Sequence, residues 1–149
     1  MISKHWQGTG AASFAAAADY DVSKGARCRW LAGNVSADPN IARREFEAIP
    51  GLRPDIAKPC FRIVLSLPPG DRLDDETWTR MATAYLKKLG IDTDNHQNSV
   101  VLHLDTAKQH VHITVNRVRL DGSIWSRRND GWKGRNAVAE LERAFGLTL

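Results

Sequence analysis

Apolar and polar residues alternate most regularly between residues 97 and 118. Val100, Leu102 and Leu104 fall on one side of a period of two, and Val101, His103 and Asp105 on the other. Further on, Val111, Ile113 and Val115 alternate with His110, His112, Thr114 and Asn116. Successive side chains of a strand point to opposite faces. Residues 97–105 and 110–118 are therefore predicted as two strands joined by a tight turn, each with an apolar and a polar face. The rest of the chain mixes both kinds of element. Residues 1–6 form a short first strand broken by Gly8 and Gly10. Residues 11–19 are alanine-rich and predict a helix, with Tyr20 at its end and Ser23-Lys24-Gly25 as a loop. Residues 29–35 form a strand. Asp38 as cap with Pro39 at the first helical position starts a helix that ends near Ile49, before Pro50-Gly51. A loop over 52–59 leads to a strand over 61–67, which Pro68-Pro69-Gly70 stops. Asp74 or Asp75 caps a helix running to about Leu89, with Trp78, Met81, Ala82, Tyr85 and Leu89 at helical spacing and Gly90 as its end. Ile124-Trp125 extends the sheet, and Val138, Leu141 and Phe145 mark a last helix over 136–145. The expected fold class is α+β, a central antiparallel sheet with helices packed mainly on one face.

A chain of 149 residues builds one domain with a real core, so residues 1–149 are read as a single unit, free-standing or the N-terminal part of a longer protein. With 42% hydrophobic and 26% charged residues, disorder along the whole chain is excluded. No apolar run approaches a membrane span, and Met1-Ile2-Ser3-Lys4-His5-Trp6 lacks the apolar stretch of a signal peptide. A cytoplasmic protein without membrane insertion is expected. Cys28 and Cys60 stand in no ligand spacing and are read as reduced thiols. The net charge of +4 and a pI near 9.3 are compatible with a polyanionic partner.

Three of the five histidines lie within ten residues, in His103-Leu104-Asp105-Thr106-Ala107-Lys108-Gln109-His110-Val111-His112. Pairing the two strands brings all three imidazoles onto one polar face. Three neutral imidazoles suit Zn, Mn, Fe, Ni or Cu and leave coordination positions open for water or a phosphate oxygen. Asp105 can orient a histidine or act as a base beside the metal. The chain has two tyrosines. Tyr85 lies on an apolar stripe and reads as core, whereas Tyr20 sits between Asp19 and Asp21, an odd place for a packing residue.

The spacing His-x-Asp-x4-His-x-His-x3-Asn-Arg, His103 through Arg117, resembles the third motif of the Mob-type relaxases, which belong to the HUH endonucleases. His110-Val111-His112 is the triplet that gives the latter their name. His96-Gln97 and Asn116-Arg117-Val118 are also similar to that family's usage, as is the opening Met1-Ile2-Ser3-Lys4-His5. Ala18-Asp19-Tyr20 followed by Ser23-Lys24-Gly25 resembles the first motif, whose tyrosine is the nucleophile. The chain departs from the family just after it, with Asp21 and Val22 where aliphatic residues are common. Ile63-Val64-Leu65-Ser66-Leu67-Pro68 resembles the second motif, in which a serine at the place of Ser66 helps hold DNA beside the nick. The resemblance implies a metal on His103, His110 and His112, Mg2+ or Mn2+ first, with Zn2+ or Ni2+ able to take the same place in crystals. It implies nicking and rejoining of one strand at a transfer origin through a 5′-phosphotyrosine, with Tyr20 attacking and Asp105 as candidate base. Asn116 is expected to support the site. Single-stranded or supercoiled origin DNA, accessory relaxosome proteins and a coupling protein are the implied partners.

For DNA contact, the basic-aromatic stretch Trp125, Arg127, Arg128, Trp132, Lys133 and Arg135 is the first candidate, since rings stack bases while cations meet phosphates. Arg27, Arg29 and Arg117 join it. Two rival functions are a rolling-circle replication initiator, which would share the metal hairpin and a tyrosine, and a non-cleaving origin-binding protein, which the intact Tyr20 and three histidines disfavour. The first usually carries its tyrosine after the histidine motif, and no tyrosine follows His112. The second has no need of Tyr20. A small metallohydrolase unrelated to DNA would need neither Tyr20 nor the basic stretch.

Overall fold

The computed structural model describes residues 1–7, 13–49 and 53–147. The break expected at Gly8 and Gly10, the start of the alanine-rich helix at 11–12 and the Pro50-Gly51 stop lie outside the described residues. Five strands, β1 (Ile2–Gln7), β2 (Cys28–Gly33), β3 (Cys60–Ser66), β4 (Asn98–His103) and β5 (His110–Asn116), form one sheet in the order β1-β3-β5-β4-β2, and every neighbouring pair is antiparallel. Among the described residues four α-helices accompany it: α1 (Phe14–Lys24), α2 (Pro39–Ala48), α3 (Asp75–Lys88) and α4 (Asp130–Ala144). This is the α+β class that the alternation predicts.

Why these helices form is readable in their caps. Asp38 accepts from the N–H groups of Asn40 and Ile41, with Pro39 following, and Asp74 accepts from Thr77. Each satisfies donors that the first turn leaves open. Acidic Asp75 and Glu76 start α3 and basic Lys87 and Lys88 end it, as the helix dipole favours.

The large core lies on one face of the sheet. Phe61, Ile63, Leu65, Leu102, Val111, Ile113 and Val115 pack there against Trp78, Met81, Tyr85 and Leu86 of α3 and Ala137 and Leu141 of α4. Full burial of one such side chain contributes about 1.5–3 kcal/mol. A polar chain crosses this layer. The Tyr85 hydroxyl donates to His5 Nε2, and His5 Nδ1 donates to Asp130 Oδ2 at 2.7 Å. The expectation that Tyr85 belongs to the core holds. The smaller pair α1–α2 covers part of the opposite, polar face, where Phe14 and Phe46 stack with centroids 4.9 Å apart.

Several boundaries differ from expectation, each for a local reason. α1 continues through Ser23 and Lys24, expected as loop, because Ser23 Oγ donates back to the Tyr20 carbonyl and the stop is Gly25 at φ 54, a conformation open to glycine. Tyr20 is thus inside the helix and not at its end. β4 ends at His103, although the next amide, Leu104, still donates to the Arg27 carbonyl. The connection to β5 is residues 104–109, longer than a tight turn, and Leu104 is 40% exposed rather than in the core. Ile124 makes only an isolated bridge to Val118. α4 begins at Asp130, six residues before the apolar stripe announced it, so Trp132, Lys133 and Arg135 are helical. No described helix is long and apolar enough to cross a membrane.

Gly134 on α4 touches the Tyr85–His5 chain: a Cβ there would lie 2.7 Å from the Tyr85 hydroxyl and 2.8 Å from His5 Cε1. Helix propensity alone favours alanine by about 1 kcal/mol, whereas overpacking costs ~1–3 kcal/mol. Both contacted rings are held in place, so the clash wins. Gly134→Ala is expected to lower stability by on the order of 1–2 kcal/mol, read as a lower urea midpoint at unchanged slope.

Burial holds His5 and His96 below the usual histidine value, whereas the unfolded chain takes up these protons near ~6.5. Below that pH the unfolded state binds more protons than the folded one. The contribution is complete above ~7 and is lost as pH falls from ~6.5 towards the depressed folded values. The urea midpoint is therefore expected to be lower at about pH 5.5 than at about pH 7.5; an unchanged or higher midpoint would contradict the buried, neutral assignment.

Candidate metal and tyrosine site

The sheet register assembles the polar face. His103 of β4 sits opposite His110 of β5, and Val101 opposite His112. On the other side of β5, Ser66 sits opposite His110 and Val64 opposite His112. Cys28 of β2 is the register partner of His103. One row of side chains across this face therefore reads Ile2, Ser66, His110, His103, Cys28. One nitrogen from each of His103, His110 and His112 lies within 4.8 Å of the others. His103 and His112 are buried, and His110 remains partly open.

Tyr20 is placed over this cluster by a relay of contacts. Asn116, fully buried at the end of β5, donates through Nδ2 to the Phe46 carbonyl at 3.1 Å and to Gln97 Oε1 at 2.9 Å. Gln97 in turn donates to the Glu45 carbonyl. These bonds pin the end of α2 to the sheet, and the Phe14–Phe46 stack pins α1 to α2. The Tyr20 ring then lies 5.2 Å from His103 in a stacked arrangement and 5.1 Å from His112.

Two cations and two acids surround the rings. Lys24, one helical turn after Tyr20, lies 4.9 Å above its ring centre and pairs with Asp105 at 2.6 Å. That ion pair holds the Asp105 carboxyl below the usual carboxylate range. The other Asp105 oxygen is 3.9 Å from His110 Nε2. Asp105 therefore reaches the site from the 104–109 connection through Lys24, and not by sharing a strand face with His103 as the alternation suggested. Arg62, buried in β3, lies with Nη2 3.2 Å from His112 Nδ1. Asp21 Oδ1 is 3.4 Å from His103 Nε2.

The donor set fits a divalent metal in its chemistry. Burial first, then the neighbouring His103 and Arg62 charges, pushes His112 down to about 2, so it is neutral with a lone pair to give. His110 Nδ1 donates to the Lys108 carbonyl at 3.0 Å, which leaves Nε2 as its acceptor nitrogen, the usual support for a metal-binding histidine. At His112 the Arg62 contact occupies Nδ1. Ligation through Nε2 requires the ring proton on Nδ1, and so requires Arg62 to release that contact.

The expected DNA contacts divide. Ser66 lies on the metal face and lines a cleft of about 250 Å3 with Lys4, Val64, Thr106, Lys108 and His110. Arg27 is exposed beside this face. Trp125 is a correction: it is 4% exposed, packs on Phe61 and donates to the Leu89 carbonyl, so no base can stack on it. Arg117 is half-buried and donates to the Trp125 and Lys58 carbonyls. Arg29 is engaged by both oxygens of Asp75, and Arg127 by Asp130. Arg128 lies in the exposed lead into α4, and Lys133 and Arg135 lie on α4 itself. That helix packs on the sheet face opposite the histidines, so the fold does not bring this stretch to the site.

Lys24, Arg62, Asp21 and Cys28 were not singled out from sequence. Lys24 carried a signal, being four residues after Tyr20 and so on the same helical face, which the loop assignment hid. Arg62 carried one too, as a charge in phase with Val64 and Ser66 inside an apolar strand. Asp21 and Cys28 carried none, because only packing brings them to His103.

A family model described as Relaxase: MobA/VirD2-like, nuclease domain matches residues 18–147. No curated protein and no solved structure gave a significant match. The matched span holds Tyr20, the three histidines and all of the sheet except β1, and on that ground the chain belongs to the MobA/VirD2-like relaxase nuclease domains.

Proposed function

We propose that this domain nicks and rejoins one DNA strand at a transfer origin, with Tyr20 as the nucleophile. The observation that carries the reading is the Tyr20 ring lying against His103 and His112. A nucleophile and a candidate phosphate-binding centre from different elements meet there. His103, His110 and His112 would hold a divalent ion, Mg2+ or Mn2+, which when bound neutralises charge on the scissile phosphate.

The chain's own residues do the rest. A phenol is a weak nucleophile at neutral pH, with a reference pKa near ~10, and needs a base or a nearby positive charge. Lys24 supplies that charge, since its ammonium lies over the Tyr20 ring and stabilises the phenolate as it forms. Asp105 acts as a positioning residue by holding Lys24 there, rather than as the direct base. The Tyr20 Oη–P bond forms as the P–O3′ bond breaks, and the phenol proton ends on the released 3′ oxygen. The products are a 5′-phosphotyrosine and a 3′-hydroxyl, and the reverse step rejoins the strand. The cleft beside His110, with Lys4, Ser66 and Lys108, replaces the α4 stretch as the path for DNA next to the nick, because it adjoins the histidines on their own face. Origin DNA is the substrate, with relaxosome and coupling proteins as the partners of the reaction in the cell. Asn116 acts through α2, as support.

Incubation with Mn2+ and a panel of labelled single-stranded transfer-origin oligonucleotides is expected to give a covalent protein–DNA adduct on a denaturing gel. EDTA and Tyr20→Phe should each abolish it. An adduct that survives Tyr20→Phe would remove Tyr20 as nucleophile. DNA retention on native gels without any adduct would favour an origin-binding role.

Lys24→Ala is expected to slow adduct formation by about 100- to 1,000-fold, the usual loss for one group that stabilises developing charge, with DNA affinity nearly unchanged. A loss of affinity with the single-turnover rate intact would make Lys24 a DNA contact instead.

A further inference from the structure

A second set of donor atoms shares His103 with the triad. Cys28 Sγ lies 3.4 Å from His103 Nε2, and Asp21 Oδ1 lies 3.4 Å from the same nitrogen. All three donor atoms lie within 4.8 Å of one another. The topology explains the meeting. Cys28 is the cross-strand partner of His103, so their side chains stand side by side, and α1 carries Asp21 over them from the residue after Tyr20.

Thiolate, carboxylate and imidazole together suit a borderline-soft ion such as Zn2+. Zinc takes sulfur at ~2.3 Å, nitrogen at ~2.0–2.1 Å and carboxylate oxygen at ~2.0–2.2 Å. Tetrahedral placement of such ligands puts the S···N and O···N edges at roughly 3.4–3.6 Å. Both observed separations agree with this. Asp21 Oδ1 is buried with no hydrogen-bond donor, a deficit that a cation removes. Asp21 and Cys28 also line a cleft of about 250 Å3 with Val22, Gly25 and Trp30, which gives an ion a way in.

We propose that Asp21, Cys28 and His103 form a second, thiophilic metal site, and that an ion there withdraws His103 from the imidazole triad. On binding, the Cys28 thiol proton passes to solvent and the sulfur, carboxylate oxygen and imidazole nitrogen each give a lone pair to the ion. A neutral imidazole has a single lone pair to give, so Zn2+ at this site opposes loading of the triad by Mn2+ or Mg2+. This last consequence rests on the DNA-nicking reading, whereas the site itself does not.

Co2+ is the probe, because thiolate ligation gives a near-ultraviolet sulfur-to-cobalt charge-transfer band that imidazoles do not. The full chain titrated with Co2+ should show that band. Cys28→Ser should lose it while visible cobalt absorption from the triad persists. His110→Ala combined with His112→Ala should keep it. In the unaltered protein, Zn2+ should protect Cys28 from alkylation by at least ~10-fold, the scale on which even outer-shell partners change metal affinity, with peptide mass mapping to separate Cys28 from Cys60. This second measurement needs no variant to fold. Absence of the band together with unprotected Cys28 overturns the site, as does a band that survives Cys28→Ser. A band with no DNA adduct on any origin would support the site and count against the nicking reading. An adduct without a band would do the reverse.

Discussion

The pairing of β4 with β5 is the constraint on which the rest of the molecule depends. The apolar face of these two strands, Val100, Leu102, Val111, Ile113 and Val115, is buried against α3 and α4. A slip of one residue in either strand would turn that face outward and drive imidazoles into the core. Hydrophobic burial on one side therefore holds His103 opposite His110 on the other. The core supports the site through register, without touching it.

Tyr20, the proposed nucleophile, comes from a different element and needs a different device. Asn116 and Gln97 bind the carbonyls of Phe46 and Glu45, which ends α2 at a defined point over the sheet. α1 is then set by its packing on α2. Buried side-chain amides can do this because satisfied hydrogen bonds have a preferred direction, while apolar contact alone would allow sliding. Asn116 thus acts at a distance, on where Tyr20 lies, although it stands in phase with His110 and His112 on β5.

Around the three imidazoles the charges balance. Lys24 and Arg62 face Asp21 and Asp105, and the pairs interlock: Lys24 holds Asp105, Arg62 contacts His112, and Asp21 approaches His103. His103 is the crossing point, within reach of the triad on one side and of Asp21 and Cys28 on the other. The proposed second site would let the domain discriminate between hard and soft ions through which partner of His103 an ion prefers.

Much of this was legible in the chain. Period-two alternation marks β4 and β5, an apolar run stopped by Pro68-Pro69-Gly70 marks β3, caps mark α2 and α3, and the spacing of the histidine motif marks the metal-binding candidates, because these signals are local and lie within a few residues of one another. The length of α1 was misread because a serine and a lysine look like loop, while Ser23 in fact closes the helix on its own Tyr20 carbonyl. The basic-aromatic stretch could not be placed relative to the histidines, because composition does not say which face of a sheet a helix will cover. Trp125 went inward since its indole N–H finds the Leu89 carbonyl. The sequence by itself determined that three imidazoles would share one face of a buried sheet. Only the tertiary structure decided what would stand against them, since Tyr20, Lys24, Asp21, Cys28 and Arg62 arrive from three other elements, and long-range packing has no periodicity to read.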